Sequence, residues 1–258
     1  LDEVDWTKRV YALEGPIDSM FVSNSIAMIG ADGGAYINSK KKQDIVIVYD
    51  NESSDGTYEH LLEREDERFN VISIPNVEPN GYREAMDHVF ENSKSEYVTF
   101  ISSDDYIDKD YVKRTMDAIE AADGLVHCVQ SGMIWVNTSG QAINQTVHNY
   151  NSLTELKTLL LQHCPIHNPT VFYHKSIWPI LSECREAHFS NNLQDIGVGD
   201  YDMWCGLADR GIPVTPINAQ LGYFYRWHEE QATWKVQKNP IKYDQIIQDY
   251  WRNKWTKN

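Results

Sequence analysis

The sequence predicts an α/β fold with a mostly parallel central sheet flanked by helices. Three observations predict it. Short β-branched apolar runs, residues 44–50 (DIVIVYD) being the clearest, have the composition of strands buried on both faces. These runs alternate with stretches of helical spacing, the pattern of βαβ units. The runs also end in turns rich in Asp, Asn, Ser and Gly, so the chain changes direction there.

The elements follow in order. A strand over 44–50 leads through a polar turn to a helix over 57–64, and a second strand covers 70–74. Residues 81–92 read as a helix because Tyr82, Ala85, Met86, Val89 and Phe90 recur on one face. A strand over 97–102 runs into Asp104-Asp105 and is followed by a helix over 110–122. Residues 125–136 are strand-like and suit an antiparallel partner. Helices are then predicted over 153–162, over 200–210 with Gly211 as the stop, and over 239–255 as a last amphipathic helix. No linker, repeat or low-complexity tract interrupts the chain, so 1–258 reads as a single domain.

Composition narrows the function. The formal net charge is −15 over 258 residues. Nucleic-acid backbones need clustered Lys and Arg, so that class of partner is excluded. A nucleotide diphosphate is not, because a divalent cation held by carboxylates can carry the contact. The four cysteines include no C-x-x-C pair, which argues against a zinc site and reads as a reduced, cytoplasmic setting. No apolar run reaches the ~18–20 residues that span a bilayer. The tail 250–257 (YWRNKWTK) is read as a helix packed on the domain with its Lys in water, with contact at a membrane surface as the alternative.

Right-handed crossovers put the loops at strand ends on one edge of such a sheet, and ligands bind beyond the carboxyl ends of the strands. The acidic turns 50–57 (DNESSDGT) and 102–105 (SSDD) both sit at such ends, so the fold brings two carboxylate clusters to one crevice. Asp50 there can accept hydrogen bonds from a uracil N–H or from ribose hydroxyls. The first turn also fits a plain helix cap with Ser54 or Asp55 as N-cap, and the second a pair of solvated acids. A third acidic segment, 199–204 (GDYDMW), opens a predicted helix, where the N-terminus stabilises an anion. Segments 165–175 (PIHNPTVFYHK) and 223–233 (YFYRWHEEQAT) add His, Asn and Arg side chains to the second half.

Taken together, residues 44–233 resemble the family-2 glycosyltransferases. The turn 50–57 is similar to the family's V-D-D-G-S-T-D-G-T segment; Asp50, Ser53, Asp55, Gly56 and Thr57 match, while Asn51 and Glu52 depart. Residues 102–105 look like the D-x-D motif, with Ser102 in place of its first acid, and imply Asp104 as metal ligand and Asp105 on the donor side. Residues 80–85 (NGYREA) resemble the family's N-x-G-x-x-x-A-x-N helix start and imply Arg83 as a donor contact, with a surface role as the alternative. The segment 199–204 is similar to E-D-Y-D-L-W. It implies Asp200 as general base with Asp202 and Trp204 on the acceptor side, although Gly199 replaces the family's Glu and Asp200 also suits a simple N-cap. Tyr225, Arg226 and His228 match a Y-R-x-H segment, implying Arg226 at the donor and His228 in the metal shell or at the diphosphate. Residues 165–175 resemble H-P-S-V-M-F-R-R and imply His167 and Asn168 as acceptor contacts, or a turn shaped by Asn168-Pro169. The family's P-T-Y-N at the first strand is absent.

The resemblance implies the nucleotide-diphospho-sugar transferase (GT-A, Rossmann-like) fold, with a nucleotide-sugar half over 1–122 and an acceptor half over 123–258. It implies an inverting transfer from a nucleotide-sugar, UDP-sugar favoured, to a glycan or other hydroxyl acceptor, with Mn²⁺ or Mg²⁺ as cofactor. The rival readings are a retaining transferase or nucleotidyltransferase on a similar sheet, and a sugar-binding module that has lost catalysis. Ser102 and Gly199 are the departures that keep the last alive.

Overall fold

The computed structural model describes residues 11–14, 25–28, 36–40, 43–50, 56–63, 69–73, 90–91 and 95–257, except 103, 109, 123–125, 182, 185–198, 218–220 and 230. Strands before residue 56 and over 69–73 are described as backbone. β1 (Tyr11–Glu14) pairs in parallel with β2 (Ser25–Met28). β3 (Tyr36–Lys40) and β4 (Gln43–Asp50) are antiparallel, and β5 (Phe69–Ser73) lies parallel to β4 after the crossover helix α1 (Thr57–Leu62). The parallel β4–β5 pair is the βαβ unit that the sequence predicts. β3 was not predicted. Only residues 41 and 42 separate it from β4, and a parallel pair needs a crossover of a dozen residues or more, so this connection can only make a hairpin.

The chain continues as β6 (Tyr97–Thr99), β7 (Tyr106–Ile107), α2 (Tyr111–Glu120), β8 (Cys128–Ser131), β9 (Met133–Val136) and β10 (Ala142–Thr146). Then come α3 (Leu153–Leu160), β11 (Val171–His174), α4 (Trp178–Leu181), α5 (Gly199–Asp209), β12 (Val214–Ile217), β13 (Tyr223–Arg226), α6 (Ala232–Lys238) and α7 (Tyr243–Thr256). One four-stranded sheet has the order β12-β8-β11-β6 and a second the order β10-β9-β13-β7. Both are mixed. β12 is parallel to β8 and β13 to β9, whereas β11 runs antiparallel to both of its neighbours. The α/β class holds, but antiparallel pairs are more numerous than the alternation of elements implied. Short connections such as the turn at 137–141 between β9 and β10 account for part of this.

The predicted strand over 125–136 is two strands in two sheets, broken at Gly132. A Cβ there would come within 2.6 Å of the Leu221 side chain and 2.9 Å of the Thr146 carbonyl oxygen, so only glycine fits the crossing. β8 is buried along its whole length because both faces are covered. Cys128, Val171, Tyr173, Val98 and Phe100 pack toward α3, α5 and α7, while Val129 and Phe172 pack toward Tyr111 and Ile119 of α2 and toward Tyr223. The alternation of strand side chains thus divides one sheet between two cores.

Ser152 caps α3 by accepting a hydrogen bond from the Glu155 amide at 3.2 Å, and the Glu155 carboxylate reaches back to the Asn151 amide at 2.6 Å. Gly211, at φ +80°, ends α5 as predicted. The final helix docks on α5. Its Trp251 is fully buried and donates its indole N–H to Asp202 at 2.7 Å, and Trp255 donates to Asp209 at 2.9 Å. Both tryptophans of the tail therefore face protein, in the packed arrangement; truncating Trp251 to Ala costs about 3–5 kcal/mol by the usual scale for buried aromatics. Among the described residues, no helix is long and apolar enough to cross a membrane. All four cysteines are free.

Candidate active site

The site is assembled where the loop leaving β6 meets β13. The Asp105 amide donates to the Ser102 carbonyl at 3.2 Å, closing a tight turn that sends neighbouring carboxylates in different directions. Asp105 points inward and is fully buried. One of its oxygens accepts from the Tyr223 hydroxyl at 2.7 Å and the other from the Arg226 amide at 2.8 Å. Burial, and then the charge of Asp104, push its pKa up to about 7; the two hydrogen bonds pull the other way.

Asp104 points outward. Its Oδ2 lies 2.8 Å from Nε2 of His228, a residue 124 positions away in the chain. Roughly a third of the Asp104 side chain and a quarter of the His228 side chain remain exposed. The Arg226 guanidinium braces the same turn, its Nε donating to the Asp104 carbonyl at 2.7 Å while its Cζ lies 5.8 Å from the Tyr106 ring centroid. Gln231, almost fully buried, holds the other side. Its amide nitrogen donates to the Arg226 carbonyl and its amide oxygen accepts from the His228 backbone N–H at 3.3 Å. Arg226 and His228 are thus fixed through main chain as well as side chain.

Asp200 sits in the first turn of α5, partly exposed, with Oδ1 accepting from the Tyr201 amide at 2.8 Å. It shares surroundings with the acidic turn. The Tyr225 phenol is raised to about 12, first by burial and then by the charges of Asp105, Asp104 and Asp200. Burial, and then the charge of Asp200, push up the Cys164 thiol, in the loop that carries His167. His167 and Asn168 lie in a short 3₁₀ turn at the head of β11. The His167 pKa is lowered to about 4, mainly by burial and then by His148 and His163, so the ring is neutral at physiological pH. Asn168 accepts from the Tyr173 hydroxyl at 2.6 Å.

The remaining sequence-selected residues divide. Asp202 is fully buried against Trp251, and Trp204, 1% exposed, stacks on Tyr173 at 5.9 Å; both belong to the core around α5. Asp50 closes β4, where its backbone pairs with Ser73, and its side chain lies outside the described part. Asp55 and Arg83 lie outside the described residues, as does most of the helix predicted over 81–92. Tyr223 and Gln231 escaped the sequence reading as site residues. Their only sequence signal is membership of the 223–233 segment, since a buried acid that needs a tyrosine partner becomes visible only once the strands are paired.

The profile of glycosyl transferase family 2 matches residues 35–177, more than half of the chain. The chain belongs to glycosyl transferase family 2. The match covers the turns carrying Asp50 and Asp104 and the segment with His167, and stops before α5 and β13, which carry Asp200, Arg226 and His228. No curated protein is similar enough to match the chain. Similar solved structures include Staphylococcus aureus TarS 1-349, at 15% identity and TM-score 0.44 over 80% of this chain and 59% of that one. The same protein with UDP gives 15% and 0.45 over 80% and 61%, and with UDP-GlcNAc 14% and 0.44 over 80% and 62%. This chain therefore spans about three fifths of the length of those TarS structures.

Proposed function

We propose that this family-2 domain transfers a sugar from a nucleotide-diphosphate donor, a UDP-sugar first among them, to an acceptor hydroxyl with inversion at the anomeric carbon. The observation that carries the reading is the Asp104–His228 pair, joined at 2.8 Å and braced by Arg226. In the proposed reaction Asp200 takes the proton of the acceptor hydroxyl. The acceptor oxygen forms the new bond to the anomeric carbon as the bond to the donor diphosphate breaks, and the diphosphate leaves with the electron pair. A sugar hydroxyl is a weak nucleophile at neutral pH, and a positioned base contributes typically ~10²–10⁴-fold. The helix N-terminus beneath Asp200 favours its charged form. Asp50 and Asp55 hold the nucleoside, with Arg83 and Arg226 on the donor side, and His167 and Asn168 face the acceptor.

Among the described residues no three His, Cys, Asp or Glu side chains converge on one point. Asp104 and His228 nevertheless fit a divalent cation shared with a diphosphate. They offer one carboxylate and one imidazole, both partly exposed, and that mixed donor set suits Mn²⁺ better than Mg²⁺. Asp105 does not fit as a ligand, because both of its oxygens are engaged inside the protein. A cation held there supplies positive charge to the departing diphosphate.

The test is a panel of nucleotide-sugars assayed for hydrolysis and transfer with and without Mn²⁺, followed by NMR of the product anomer. Metal-dependent turnover with an inverted anomer is expected. Retention of configuration favours a retaining mechanism, and absence of turnover with intact donor binding favours a lapsed module.

A further inference from the structure

A second feature borders the acids without being part of them. Trp135 on β9 is the register partner of Tyr225 on β13, and their rings lie 5.0 Å apart. Trp227, just past the end of β13, lies 5.1 Å from Trp135 and 5.0 Å from Trp234 on α6. His167 stands edge-on to Trp135 at 6.3 Å. All four aromatic side chains keep part of their surface in solvent. Trp227 and Trp234 belong to neither hydrophobic core. The Trp234 indole N–H is shielded from water and has no hydrogen-bond partner among the described residues, and Lys238 lies 5.6 Å from its ring. Trp135 and Tyr225 pack against the core around Tyr111 and Tyr223, whereas Trp227 and Trp234 complete no core, and part-exposed rings that touch one another beside a carboxylate cluster suit a flat ligand.

Charge and position narrow the ligand. Asp104 and Asp200 both bear on Tyr225, so an anionic group laid on this end of the wall meets repulsion. The C–H groups on one face of a pyranose are weakly positive and complement the negative face of an aromatic ring. A nucleobase also stacks, but the proposed nucleoside contact Asp50 closes β4 in a different sheet, whereas the wall stands on β9, β13 and α6.

We propose that Trp135, Tyr225 and Trp227, with Trp234 behind them, form the stacking platform of the acceptor subsite, and that the acceptor is a neutral carbohydrate chain presenting a pyranose face. This rests on the glycosyltransferase reading above. The platform holds the acceptor ring, with His167 edge-on to Trp135 at its border.

The test is saturation-transfer difference NMR on the full chain with maltotetraose, cellotetraose and chitotetraose as neutral probes and tetragalacturonate as the anionic one. UDP with Mn²⁺ is measured on the same samples. At least one neutral tetrasaccharide should give saturable signals concentrated on one ring face. Trp227→Leu and Trp135→Leu should each weaken that binding tenfold or more, Trp227→Phe should retain most of it, and Ile143→Ser, on exposed β10, should leave it unaltered. The platform is overturned if no neutral probe binds, if tetragalacturonate binds more tightly, or if folded Leu variants bind like the parent. UDP binding without carbohydrate binding removes the platform alone. Carbohydrate binding without UDP binding removes the transferase reading and with it the platform's acceptor role.

Discussion

The turn after β6 and the first turn of α5 carry the same two-acid signature, and the fold treats the two pairs in parallel ways with different consequences. In each, one acid is left partly exposed, Asp104 and Asp200, while its near neighbour, Asp105 or Asp202, is fully buried. The buried acids differ in what they hold. Asp105 is gripped by Tyr223 and by the backbone of Arg226, so it ties the acidic turn to the strand that delivers His228. Asp202 is gripped by Trp251, so it ties α5 to the last helix. An acidic pair in a sequence is therefore not two equivalent ligands. One member stays partly in water, and the other orients an element.

The comparison can be broken, starting with the largest expected effect. Asp200→Asn should lower transfer by roughly 10²–10⁴-fold while calorimetric donor binding stays near that of the parent. Lost donor binding, or retained turnover, removes the base role and makes Asp200 a simple cap. Asp202→Ala should do the reverse, costing about 1–3 kcal/mol of stability in urea denaturation because the buried Trp251 N–H loses its acceptor; the same change at Asp200 should cost under about 1 kcal/mol. Equal losses at the two positions would erase the division of labour.

Next, His228→Ala should weaken Mn²⁺ activation about 10–100-fold, the scale of losing a metal ligand or its support, with little change in melting temperature since the ring is partly exposed. Metal dependence unchanged from the parent would leave the Asp104–His228 contact as an internal hydrogen bond only.

A pH measurement sharpens the contrast between Asp104 and Asp105. Burial and the charge of Asp104 let Asp105 hold its proton up to about pH 7 in the folded protein, well above the ordinary carboxyl value of 3.8. The folded state therefore holds more protons than the unfolded chain between about pH 4 and 7, and stability falls as pH rises through that window. Asp105→Asn should flatten this part of the stability profile, measured by chemical denaturation without added metal. A profile as steep as that of the parent would assign the titration to another group.

Much of this was legible in advance, for local reasons. Residues 44–50 and 70–74 announce themselves as strands through β-branched runs, and strands form over Gln43–Asp50 and Phe69–Ser73; Gly211 announces the end of α5. The family's motif spacing pointed to Asp104 and His228 before any geometry was at hand. Other features were out of reach. Nothing in the residues 125–136 marks Gly132 as a crossing point between sheets, because the atoms that forbid a side chain there come from Leu221 and Thr146. Asp202 and Trp204 read as acceptor contacts because motif position reports chemistry and not direction, and the docking of α7 turns Asp202 inward.

By itself, then, the sequence determined the α/β class, most helices and which acids to watch, since those depend on side-chain period and on residues within a turn of one another. Only the tertiary structure decided which acid of each pair stays in water, which strands run antiparallel and which aromatic rings meet. Those outcomes depend on contacts between residues distant in the chain, from 49 positions for Asp202 and Trp251 to 124 for Asp104 and His228, which no local pattern encodes.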